Sequence, residues 1–167
     1  MKSALKCVAW CVVAYFACDY VIIPVAMSGW FYLRSPAIIT IGPVKAHRAF
    51  SWNYVPGNDT PKATKSGTFI HEAWPGFAPN FAEFAIVEEL ATQTPAQNDQ
   101  GFERMWSHFH NAQAFTVPGK NWNCFSYQSA EKTAGLNLLC QDETRPVFYR
   151  YAGPEKLLSK AVGLVID

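Results

Sequence analysis

Residues 4–33 read ALKCVAWCVVAYFACDYVIIPVAMSGWFYL, a run interrupted by only two charges, Lys6 near its start and Asp19 in its middle. A bilayer core needs about 20 mostly apolar residues in helical form, so the run is predicted to be one transmembrane helix. Lys2, Lys6 and the terminal amine precede it and only Arg34 closely follows. That Lys/Arg bias puts the amino end in the cytoplasm and the bulk of the chain on the periplasmic or extracellular side. Trp30 and Tyr32, with Tyr20 or Trp10, lie towards the ends of the run, where rings with polar tips favour the headgroup zone.

Three other fates of the segment are weighed against an anchor, of which a buried helix of a soluble protein is disfavoured by the flanks. A cleaved signal finds its best site at Ala26-Met27-Ser28, just after Pro24, but the apolar stretch leading there is long for a signal and contains Asp19. A lipoprotein acylated at Cys18 would follow Tyr15-Phe16-Ala17, which lacks the usual Leu three positions before the cysteine. Asp19 itself has two readings that stay open. A carboxylate inside a membrane costs about 2.5–3.5 kcal/mol on insertion scales, so it either sits near a surface or makes an intramembrane contact. Cys7, Cys11 and Cys18, spaced by four and seven, fall within about 40° of one another on a helix and could face a partner helix. Cysteine is also simply a small apolar residue, tolerated in lipid.

Setting residues 1–33 aside as cytoplasmic tip and anchor leaves 134 of 167 residues, 34–167, for one exported domain. Removing Lys2, Lys6, Arg34 and Asp19 from the count leaves eleven basic against twelve acidic residues. A nearly neutral domain without a basic stripe lacks the footprint for nucleic acid, so no nucleic-acid partner is expected. The partners implied instead are the membrane lipid bilayer and other membrane or envelope proteins. Aromatic residues at 15% and charged residues at 16% of the chain indicate extensive burial, a sticky partner surface, or both.

Beyond Arg34 the pattern changes to short runs and turns. Strands are predicted at 36–41, 46–55 and 68–74, then helices at 80–90 and from 99 to about 114, where apolar residues recur at helical steps. A meander follows at 122–127, 136–141 and 146–151, with a closing helix at 154–165. The predicted fold class is therefore α+β: one transmembrane helix, then short antiparallel strands packed on about two helices.

Two cysteines, Cys124 and Cys140, lie outside the apolar segment, on neighbouring predicted strands. An even pair in an exported domain suggests a disulfide. Candidate chemistry is sparse. His108 and His110 could chelate a metal from a strand, with His71 and Glu72 as further ligands, but on the predicted helix they would lie about 200° apart. Ser107 or Ser126 could join His71 or His110 in a hydrolase, yet no nucleophile elbow or glycine-rich phosphate loop is present. No cofactor is implied. These features point to a non-enzymatic interaction or accessory subunit of an envelope complex, of the secretion, conjugation, respiratory or immunity/exclusion type. The alternative is an exported metal-assisted hydrolase using His108 and His110.

Overall fold

The computed structural model describes residues 2–18, 22–57, 65–71, 81–88, 109, 111–128 and 135–166. Among them the chain is mostly β-sheet, with ten strands in two sheets and three helices. The predicted α+β class with a transmembrane helix is corrected on both counts.

The apolar run forms two helices, α1 (Lys2–Ala17) and α2 (Ile23–Arg34). At 1.5 Å per residue they are about 24 and 18 Å long, against about 30 Å of hydrocarbon. No helix among the described residues is long and apolar enough to cross a membrane. The expected single-pass topology, with its cytoplasmic amino end, loses its spanning element. Pro24 stands in the first turn of α2, a position where proline is tolerated.

Strands β1 (Ile38–Ile41) and β2 (Val44–His47) form a hairpin, with β10 (Val165–Ile166) on the other side of β2. The hairpin needs a two-residue turn, and Gly42 takes φ +55° at its first central position, ahead of Pro43. Residues 46–55, predicted as one strand, are divided between β2 and β3 (Trp52–Pro56). Ser51 at φ 77° turns the chain between them.

The larger sheet is antiparallel throughout, in the order β3-β4-β5-β9-β8-β7-β6. Its other members are β4 (Ser66–His71), β5 (Ala82–Glu88), β6 (Gln113–Phe115), β7 (Trp122–Tyr127), β8 (Leu136–Asp142) and β9 (Val147–Gly153). The meander β7-β8-β9 lies where three strands joined by polar turns were expected. The helix predicted over 80–90 is instead β5 where the chain is described, and the end of the second predicted helix is β6. Residues 99–108 and 110 of that helix lie outside the described residues. In β5 the side chains of Ala82, Phe84 and Ile86 are buried at every second position, the strand period, and pairing with β4 and β9 satisfies its backbone on both sides.

Phe69, Phe84, Tyr151 and Leu138 stand directly opposite one another across four strands of the inner face, all buried. The small sheet and helix α3 (Glu155–Val162) contribute Ile41, Val44, Leu157 and Ala161 to the same core. Gly67 lets the two sheets approach, because a Cβ there would lie 2.5 Å from Tyr54 Cε2 and 2.8 Å from Ile41 Cδ1.

Candidate functional site

Fifteen large apolar side chains are exposed among the described residues, and eleven of them lie between Val8 and Leu33. Along α1, Cys7, Val8, Cys11, Val12, Tyr15 and Phe16 line a shallow groove of about 430 Å³. Cys7, Cys11 and Cys18 are exposed free thiols. Asp19, expected either near a surface or in an intramembrane contact, lies outside the described residues.

The far end of this apolar segment is fastened to the sheet domain by Arg48, which no sequence pattern singles out. Its Nη1 donates to the carbonyls of Tyr32 at 2.9 Å and Ser35 at 2.8 Å. These acceptors belong to the last turn and C-cap of α2, where a cation also complements the helix dipole. The same guanidinium lies 4.3 Å from the centre of the Tyr32 ring, and Tyr32 meets Phe50 edge-on at 6.1 Å. Arg34 lies 4.4 Å from the centre of the Trp30 ring. A cluster of aromatic rings and two guanidinium groups therefore marks the junction of helix and domain.

A second polar constellation surrounds Asp142, which is 5% exposed. Its Oδ1 accepts from Thr144 N at 2.9 Å, Thr144 Oγ1 at 2.7 Å and Arg145 N at 3.2 Å, an arrangement characteristic of an Asx turn. Its Oδ2 accepts from Arg145 Nε at 2.8 Å and the buried Tyr149 hydroxyl at 2.9 Å, with Arg145 Nη2 also at 2.8 Å. Burial opposes ionisation of the acid, but the hydrogen bonds from Thr144, Tyr149 and Arg145 together outweigh it and hold its pKa below the ordinary 3.8. With both oxygens engaged, this carboxylate serves structure and is poorly placed to act as a general base.

The adjoining cleft, about 340 Å³, is lined by Lys120, Asn121, Trp122 and Arg145 among others. Its cations reach the carboxyl-terminal strand: Lys120 Nζ donates to Val165 O and Arg145 Nη1 to Ile166 O, both at 3.3 Å. Asp142 thus orients an arginine that clasps β10.

The depressed pKa makes part of the stability pH-dependent. A folded-state value below the unfolded one contributes stability that is fully present above the unfolded value and is lost as pH falls through the folded one. Urea midpoints should therefore fall as the pH is lowered through and below the ordinary aspartate value of 3.8, with a shallower fall in Asp142→Asn. Identical slopes for the two proteins would show that other carboxylates carry the acid response.

Cys124 and Cys140 form a disulfide and are directly opposite in the β7–β8 register. Of the other candidate groups only His71 and Ser126 fall among the described residues. His108, His110, Ser107 and Glu72 lie outside the described residues. His71 stands edge-on to Trp52 at 5.2 Å, and Ser126 Oγ donates to Gln113 O at 3.4 Å. Among the described residues no three His, Cys, Asp or Glu side chains are grouped to hold a metal. Comparisons with family models, curated proteins and solved structures give no significant match, so function has to be read from the residues themselves.

Proposed function

We propose that the chain is a non-enzymatic accessory or interaction subunit of an envelope protein complex, of the secretion, conjugation, respiratory or immunity/exclusion type, working in an oxidising compartment. The concentration of exposed apolar side chains in residues 8–33 carries this reading. Contiguous apolar surface is costly in water and is kept where something covers it. The cap from Arg48 joins that surface to a sheet domain whose polar cluster around Asp142 is committed to holding the fold. The buried Cys124–Cys140 disulfide favours a compartment where thiols oxidise.

Amine-directed crosslinking in cells that produce the protein, followed by mild extraction, should yield the full chain in an assembly larger than itself, with defined protein neighbours. A chain recovered only as an uncrosslinked monomer would refute the proposal.

A further inference from the structure

We propose that the neighbour of the exposed α1–α2 surface is the hydrocarbon layer of an anionic phospholipid membrane, which the two helices enter without crossing. This rests on reading that surface as a docking element and names what it docks against.

The distribution of apolar residues around α1 separates lipid from a protein groove. At 100° per residue, taking Val8 as origin, Val12 falls at about 40°, Phe16 at about 80°, Val13 at about 140°, Trp10 at about 200° and Tyr15 at about 340°. These six side chains are 47–73% exposed. Cys7 and Cys11, also exposed, fall in the remaining sector at about 260° and 300°. A helix lying in a protein groove needs one apolar stripe little more than about 100° wide, with polar residues opposite. A helix apolar on every side is suited to surroundings that are apolar on every side. After Lys6, α1 has no charged residue.

The second observation is the junction. Arg34 on Trp30 and Arg48 on Tyr32, with Phe50 exposed beside Tyr32, combine guanidinium groups with amphipathic rings where the apolar segment ends. Such rings favour the headgroup level, and arginine pairs with phosphate oxygens. Their position at the domain end of α2 gives the segment a polar boundary on that side. No helix among the described residues is long and apolar enough to cross a membrane, and the proposal is accordingly one of entry.

The test uses the full chain with vesicles of phosphatidylcholine alone and of phosphatidylcholine with phosphatidylglycerol. A polarity-sensitive dye is placed on Cys11, with Cys7 and Cys18 replaced by alanine. The chain should float with the anionic vesicles, and the dye should shift to the blue and be quenched by nitroxide groups on lipid tails. Protease added outside sealed vesicles should reach both an amino-terminal tag and the sheet domain. Arg34→Gln should weaken binding to anionic vesicles about fivefold and leave binding to neutral ones unchanged, as expected for one cation near the surface. A chain that does not float, a dye that remains in water, or a tag protected inside the vesicle would each overturn the assignment. Loss of vesicle binding with the crosslinked assembly intact removes the lipid assignment alone. Loss of the assembly with vesicle binding intact removes the accessory-subunit reading alone.

Discussion

Asp142→Ala is expected to destabilise the domain by about 3–5 kcal/mol, the range for removing one partner of a buried ion pair. The substitution leaves the Tyr149 hydroxyl, a buried donor, without its acceptor. It also removes the acceptor for the Thr144 and Arg145 amides that shape the turn between β8 and β9. Arg145 has its side chain 21% exposed and can turn towards water, which lowers the cost of its lost partner but releases its hold on Ile166. Urea unfolding at neutral pH measures the total. Hydrogen exchange at Lys45 and Ala46, which pair with β10, should show local loosening beyond the global change. A loss below about 1 kcal/mol would mean that water replaces the carboxylate at little cost and that the cluster is not a fastening.

Replacing both Cys124 and Cys140 by alanine is expected to cost about 3 kcal/mol, from the loop-closure entropy of a crosslink joining residues 16 apart. The two positions are 2% and 3% exposed, so the lost sulfur atoms also leave small voids between β7 and β8. The burial has a kinetic corollary: the folded protein should resist a thiol reductant until it is partly unfolded, because the attacking thiolate needs access to a sulfur. Comparing urea midpoints of the oxidised, reduced and double-alanine proteins separates crosslink from packing. If reduction leaves the midpoint unchanged, the crosslink holds a segment that is already ordered without it.

The meander and its disulfide were legible because each of those strands is short, bounded by turn residues and patterned in a way that only strands satisfy. Cys124 and Cys140 could be paired from sequence because β7 and β8 are neighbours in the chain as well as in the sheet. β5 was not legible. Phe81, Phe84, Ala85 and Val87 satisfy a helical period, while Ala82, Phe84 and Ile86 satisfy a strand period. What decides between them is the pairing with β4 and with β9, the latter's partner residues lying 59–69 positions away. The amino-terminal run misled for a different reason. Mean apolarity over thirty residues does not report helix length, and neither Lys2–Ala17 nor Ile23–Arg34 is long and apolar enough to cross. The Asp142 cluster was hidden in an ordinary-looking turn, Asp-Glu-Thr-Arg. Its spacing suits an Asx turn, but neither the approach of Tyr149 nor the reach of Arg145 to the last strand can be foreseen from local sequence.

Strand β10 completes a sheet whose first strand begins at Ile38. During synthesis the ribosome therefore delivers α1, α2 and the β1–β2 hairpin well before the strand that closes their sheet. More than a hundred residues must emerge in between with β2 still awaiting that neighbour. The nascent chain consequently exposes its most adhesive part while its domain cannot yet be finished, which calls for a chaperone or a receiving surface early in the life of each molecule.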